Sequence, residues 1–314
     1  MEQLGILQFV AFLVGLLFGS FLNVCISRLP QGESVVSPRS RCPQCGSPIR
    51  WYDNIPVLSW PRLSARCRDC KASIPWRYPV VELSLGVWFL LIGVSVAETL
   101  FGRAAPPFGL TSWWINFGVD QMGLAILGFL LIGLMVMDWQ TMMLPDSFTL
   151  SGIAIGLFLV CLKAVFLGPV EDQVVLNTTH QLRLSSPGSF ISRGNVFLTG
   201  PEALIFGRLA AICGVALLLL LIRWGYKAIR HREGMGLGDV KLLAMIAAFL
   251  GFWPAILSLF MGTAAAALYG ALLLARGKAG AASKLAFGSF LCVGGLVAAR
   301  FGNRVIDMYM ALLR

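Results

Sequence analysis

Two acidic residues stand where an acidic residue is expensive. Asp138 closes an apolar run in "LMVMDWQTMMLPDSF", and Asp239 opens another in "GMGLGDVKLLAM". An ionisable group in or beside hydrocarbon costs about 2.5 kcal/mol or more, so it tends to serve a function or to have a partner. Two carboxylates brought close together do not both ionise easily; the pair then shares a proton. Such a pair can activate a water and protonate a departing amine, which is aspartic peptide hydrolysis. Asp138 falls at a helix end where the dipole opposes an anion, so a structural role explains it poorly. Asp239 keeps a second reading, as the N-cap of a glycine-rich helix entry. Gly236 and Gly238 give the backbone freedom and let an extended substrate approach closely. Lys241 belongs to the same motif. A third aspartate, Asp146, follows Pro145 and reads first as the N-cap of the next helix. The chain has two histidines, His180 in a polar outer loop and His231 in a basic loop, so no Ser-His or Cys-His machinery spans the candidates.

A second group of residues points to a metal. "CPQC" (Cys42, Cys45) and "CRDC" (Cys67, Cys70) are CxxC pairs separated by 21 residues. Each pair puts two sulfurs on one tight turn, and two turns complete a tetrahedral four-thiolate zinc site. Two disulfides or free thiols are the rival reading, and a cytoplasmic location disfavours disulfides. A closed four-sulfur shell leaves no position for substrate, so the zinc would be structural. Cys25, Cys161, Cys213 and Cys292 lie in or beside apolar runs and read as core residues.

The elements that must position these groups are membrane helices. The 314 residues are 57% hydrophobic and 13% charged, against about 25% charged in soluble domains. The apolar runs are continuous rather than alternating, which favours helices over a barrel. Eight spans are expected, near 5–24, 80–98, 120–138, 147–167, 203–222, 239–253, 255–275 and 285–301, with the sixth ending at Trp253-Pro254. The fold class is therefore an all-α polytopic membrane protein of about eight transmembrane helices with a small cytoplasmic zinc-binding insert. The first run lacks a basic start and a cleavage site, so it reads as a retained span.

The net charge of +10 does not indicate nucleic acid. Most basic residues fall in 25–79, 223–238 and 276–284, which the positive-inside rule places in the cytoplasm together with 138–146. Both termini are then outside, and all three aspartates sit at the cytoplasmic end of the bundle. The expected divisions are a first helix (1–24), the four-cysteine insert (25–79) and a membrane peptidase domain (80–314). That last part carries a polar outer loop at 168–202, where short alternating stretches suit a small hairpin.

Five segments together resemble the type IV prepilin peptidases: "GLLFGSFLNVCISRLP" (15–30), the paired CxxC insert, "IPWRYPVVELSLG" (74–86), "DWQTMMLPD" (138–146) and "GMGLGDVKLLA" (234–244). The resemblance implies a bifunctional enzyme of the bacterial inner membrane with Asp138 and Asp239 as the catalytic pair and Asp146 in the adjoining motif. It would remove a short basic leader from prepilins of type IV pili or pseudopilins of type II secretion, at the cytoplasmic face. It would then methylate the new amino terminus from S-adenosylmethionine. The resemblance links the N-terminal part to methyl transfer, which makes Gly19, Asn23, Arg28, Arg77 and Glu82 candidates; Arg77 could equally pair with Glu82. Peptidase-only relatives generally lack the cysteine insert. The alternative function is a non-catalytic membrane scaffold of a pilus or secretion assembly, with the zinc insert as a docking module. Lipid and the pilin-like substrates are the expected partners; oligomeric state has no signature in the sequence.

Overall fold

A computed structural model describes residues 2–37, 39–101, 111–171, 201–230, 235–277 and 285–312. The helices are α1 (Glu2–Arg28), a single turn α2 (Ser59–Arg62), α3 (Arg77–Phe101), α4 (Thr111–Thr141) and α5 (Asp146–Glu171). They continue with α6 (Pro201–Arg230), α7 (Leu237–Leu250), α8 (Phe252–Ala275) and α9 (Phe287–Leu312). Among the described residues there is no strand, and two isolated bridges in the insert are the only β pairings. The hairpin expected within 168–202 falls largely outside the described residues.

Each of the eight expected spans overlaps a helix. Six of those helices are long and apolar enough to cross a membrane. The other two are α7, with 14 residues, and α9, whose apolar stretch is Phe287–Gly302. At 1.5 Å per residue α7 is about 21 Å long, short of the roughly 30 Å of hydrocarbon. Its surroundings account for this. α7 contacts α4, α5, α6, α8 and α9, and Asp239–Ala248 is buried almost without interruption. A helix sheathed by other helices has no need to reach both water layers on its own.

The break between α7 and α8 lies at Gly251 rather than at Trp253-Pro254. Gly251 adopts φ +93°, a conformation that disfavours a side chain. A Cβ there would also meet the Arg208 guanidinium at 2.9 Å. Pro254 instead stands in the first turn of α8, where its missing N–H breaks no helical hydrogen bond.

The core runs along the bundle axis through Leu22, Leu85, Leu131, Met137, Leu243 and Leu291, all fully buried. The outer faces of α1, α6 and α8 expose apolar side chains such as Phe9, Leu17, Leu221 and Phe260, as a lipid-facing surface requires. α1 and α3 are packed through small residues. A Cβ on Gly15 would lie 2.6 Å from the Leu85 carbonyl oxygen, and one on Gly86 would lie 2.7 Å from the Leu16 side chain. Without a hydrophobic drive between helices inside lipid, such close backbone approach is what holds them together. Gly15→Val is expected to force α1 off α3 at a cost of about 1–3 kcal/mol, read as a lowered midpoint in thermal unfolding of the detergent-solubilised protein.

Candidate active site and metal centre

The C-terminal ends of α1 and α4 and the N-terminal ends of α3, α5, α7 and α9 gather at one end of the bundle. Asp138, in the last turn of α4, is 5% exposed. Its Oδ2 accepts hydrogen bonds from the Ser289 backbone N–H at 2.6 Å and from the Ser289 hydroxyl at 2.9 Å. Ser289 lies in the first turn of α9, so the positive end of that helix dipole faces the carboxylate. This offsets the unfavourable end of α4 on which Asp138 sits.

Asp239 is 9% exposed and occupies the third position of α7. Gly236 holds the N-cap position, and Asp239 Oδ2 accepts from the Gly236 N–H at 3.2 Å. The capping alternative is thus corrected in position: Asp239 satisfies a helix-start donor from inside the first turn, as the acidic member of a capping box does. The turns carrying the two aspartates are neighbours: Gly238, beside Asp239, and Gly288, which borders Asp138, both stand against the Leu144 side chain.

Glycines let the two loops close. A Cβ on Gly288 would lie 3.0 Å from Asp138 Oδ2 and 3.1 Å from Leu144, and one on Gly238 would lie 3.1 Å from the same Leu144 side chain. Leu144 is wedged between the two aspartate-bearing turns. Asp146 is the first residue of α5 rather than its N-cap: the Pro145 carbonyl accepts from the Phe148 and Thr149 N–H groups, and the Asp146 side chain turns elsewhere. Its carboxylate meets Lys241 Nζ at 2.6 Å. Both side chains are partly open to solvent, so the pair contributes under about 1 kcal/mol. Its value is geometric, since it ties the start of α5 to the helix carrying Asp239. Sequence reasoning missed Gly288 and Ser289, whose "FGSF" has no partner motif that would have signalled a role.

The N-terminal candidates separate into two roles. Gly19 is a packing residue, because a Cβ there would stand 2.6 Å from the Glu82 Cα. Arg28 donates to the Ser34 carbonyl at 3.0 Å and to the Arg39 carbonyl at 3.5 Å, fastening the chain that leaves α1. Asn23 and Glu82 are buried together at the α1–α3 contact, and Asn23 Nδ2 donates to the Tyr78 carbonyl at 3.0 Å. Arg77 does not pair with Glu82. Its guanidinium lies over the Tyr78 ring at 4.9 Å and donates to Gln140 Oε1 at 2.6 Å. The five positions from Arg77 to Glu82 exceed the three or four that face each other on a helix.

The insert contains two matching knuckles. In the first, Cys42 N–H donates to the Ser47 carbonyl and Gly46 N–H to the Cys42 carbonyl; in the second, Cys67 pairs in the same way with Ala72 and Lys71. Gly46 and Lys71 share a left-handed φ, +73° and +61°. The four Sγ atoms lie within 4.8 Å of one another, and Cys42 and Cys70 are 3.8 Å apart. A tetrahedron with Zn–S near 2.3 Å has sulfurs roughly 3.8 Å apart, so the donor set fits zinc. The Ser47 hydroxyl and N–H beside Cys45 pull its thiol down to about 6, which favours the thiolate a metal needs. Asp53 and Arg68 clamp the segment between the knuckles through two hydrogen bonds of 2.6 and 2.7 Å.

A multi-pass helical protein with two buried aspartates at one end of the bundle and a four-cysteine module has the features expected of a membrane peptidase. Comparison with known proteins agrees. The Bacterial Peptidase A24 N-terminal domain matches residues 13–96 and the Type IV leader peptidase family matches 187–271. The chain is 30% identical to a prepilin leader peptidase/N-methyltransferase of Aeromonas hydrophila, covering 96% of this chain and 93% of that protein. It is 29% identical to the one of Stutzerimonas stutzeri, over 97% and 94%. It is 34% identical to the one of Klebsiella pneumoniae, over 78% and 85%. No solved structure matches. The chain belongs to the type IV leader peptidase family and is an enzyme.

Cys45→Ser, or treatment with a strong chelator, is expected to release close to one equivalent of zinc and to open residues 40–75 to limited proteolysis. Metal analysis with peptide mapping checks this. The apolar α-helical bundle should keep its circular dichroism.

Proposed function

We propose that this enzyme cleaves the leader from prepilins or pseudopilins and then methylates the amino terminus it has exposed. The observation that carries the peptidase half is that Asp138 and Asp239 are both buried at one end of the bundle, each held by a backbone N–H, with Leu144 bordering the turns around both. One carboxylate, as general base, takes a proton from the attacking water; the other, protonated, donates to the scissile carbonyl. The proton then passes to the departing amine. Gly238 and Gly288 let the turns around Asp138 and Asp239 close on Leu144, and Gly236 keeps the entry of α7 free of a side chain where an extended backbone would approach. The substrate's apolar segment would lie among the helices and its basic leader would remain in water.

The methyltransferase half is carried over from the relatives' names and from the cysteine insert. S-adenosylmethionine would supply an electrophilic methyl group to the free amine, releasing the demethylated donor and a proton. We read the end bearing the aspartates as facing the cytoplasm, on the basic residues of 25–79 and of the α6 C-terminus, with α7 and α9 completing eight passes of a bacterial inner-membrane protein. The divisions 1–24, 25–79 and 80–314 serve this reading as a first helix, a transfer-associated insert and a peptidase domain. Zinc stays structural in it, since four thiolates fill the tetrahedron.

The test is purified enzyme with a prepilin and labelled S-adenosylmethionine, read by mass spectrometry. Asp138→Asn and Asp239→Asn should each lower cleavage by about 10³-fold or more with the fold retained. Normal cleavage by either variant would overturn the assignment. Asp239→Ala should also cost about 1 kcal/mol of stability that Asp239→Asn largely keeps, because alanine leaves the Gly236 N–H without its acceptor.

A further inference from the structure

The insert that carries the four cysteines is fastened to the membrane helices below their ends. The Val57 N–H donates to Glu82 Oε2 at 2.7 Å. Glu82 lies five residues into α3, about 7.5 Å along its axis. At the same level a Cβ on Gly19 of α1 would stand 2.6 Å from the Glu82 Cα, and Gly19 is nine residues before the end of α1 at Arg28. Both helices are long and apolar enough to cross a membrane. The 25 residues of α3 span about 37 Å, against roughly 30 Å of hydrocarbon. With the excess shared between its two ends, hydrocarbon begins about 4 Å into α3. Side chains on a helix lean toward its N-terminus, so the Glu82 carboxylate, and Val57 with it, lies at that boundary.

The turn latched there is apolar and open. It reads Ile55-Pro56-Val57-Leu58, and Leu58 is 65% exposed. Val57 is β-branched yet holds φ +62°, a strained conformation that persists only where its surroundings impose it. The strain is coupled to the bond that keeps the turn at this depth. Val80 and Leu83, which flank Glu82 in α3, are exposed as well, so the outer face of α3 is apolar at the same level. Trp76, one residue before α3, is 71% exposed. Tryptophan in that position is favoured at the headgroup level of a bilayer.

Charge points the same way. Residues 29–76 hold seven basic residues and three acidic ones, an excess that the two negative charges of a zinc–tetrathiolate centre would not cancel. Arg41, Arg62 and Arg66 are exposed and form no ion pair among the described residues. The basic leader of the proposed substrate has the wrong sign for such a surface. Phospholipid phosphates have the right one.

We propose that the insert lies against the membrane its own helices cross. The Ile55–Leu58 turn and Trp76 embed at the headgroup boundary, and the free arginines meet the phosphates of anionic phospholipid. The zinc module is then held on the bilayer surface instead of standing free in water. This contact goes beyond the peptidase and methyltransferase readings and holds whether or not either is right.

The test uses the whole protein in nanodiscs of phosphatidylcholine, with none or one in three of the lipids replaced by phosphatidylglycerol. A diazirine-bearing residue in place of Leu58, an exposed position, is photolysed and its adducts are identified by mass spectrometry. Phospholipid adducts are expected, with phosphatidylglycerol captured at least about 3-fold above its share. The same probe in place of Leu221, on the lipid-facing side of α6, gives the yield of an embedded position. Water or peptide adducts at Leu58 beside lipid adducts at Leu221 would overturn the proposal, and capture in proportion to composition would refute its anionic partner. Replacing Arg41, Arg62 and Arg66 by Gln should remove the phosphatidylglycerol excess with zinc content unchanged. A second arm needs no variant. In the wild type, amides of residues 49–62 should exchange with deuterium at least about 5-fold more slowly when phosphatidylglycerol is present, and high salt should abolish the difference. Exchange indifferent to both lipid charge and salt would mean that this face is solvated and the proposal wrong.

Discussion

The hydrogen bonds from Ser289 to Asp138 fix the architecture of the peptidase half. A carboxylate at the end of α4 meets the negative end of its own helix dipole and is buried as well, so it needs donors from another element. The start of α9 supplies two from one residue and brings its positive dipole end with them. That single requirement places the last helix beside the fourth, across most of the chain's length. It also explains why Gly288 precedes Ser289: any Cβ there would stand against the carboxylate and Leu144.

Burial of α7 follows from the same logic. Asp239 is kept from lipid because the helix that carries it lies inside the bundle rather than on its surface. A helix so placed can be short, and Gly251 can end it at a conformation closed to other residues. The neighbours take over the task of crossing the membrane. Leu144 and the Asp146–Lys241 pair then set the position of α7 relative to the α4–α5 turn, one by packing and one by charge.

Much of this was legible in sequence, and the parts that were not share a cause. Continuous apolar runs locate every long helix, since a span must satisfy its backbone internally. The CxxC spacing points to a four-cysteine cluster because each short turn brings two sulfurs together, and the Asp53–Arg68 contact helps hold the segment between them. Asp138 and Asp239 stand out because their cost in hydrocarbon is high. Ser289, Gly288, Gln140 and Val57 do not stand out, because each is chemically ordinary and becomes significant through a partner far away in the chain. The Arg77–Glu82 pair failed for the complementary reason: opposite charges near in sequence were on different faces of α3. The break after α7 was misplaced by two residues because a proline tolerated in a first turn looked like a terminator.

The two polar centres are joined physically. Arg77 belongs to the turn that holds Tyr78 and Asn23, and its partner Gln140 is two residues beyond Asp138 on α4. An Arg–Gln bond between α3 and α4 at this point fixes the N-terminal cluster against the helix that bears the peptidase carboxylate. In the proposed function, hydrolysis generates an amine at the aspartates, and methyl transfer consumes an amine. On the reading proposed here, both steps occur at one end of the bundle, so the product's apolar segment need not leave its place among the helices between them. A chain that kept the two centres at opposite ends would have to carry a newly formed, charged amino terminus through hydrocarbon, at the cost that makes such groups rare there. The common placement removes that barrier, and the Arg77–Gln140 bond is one contact among those that pack α1 and α3 against α4 to maintain it.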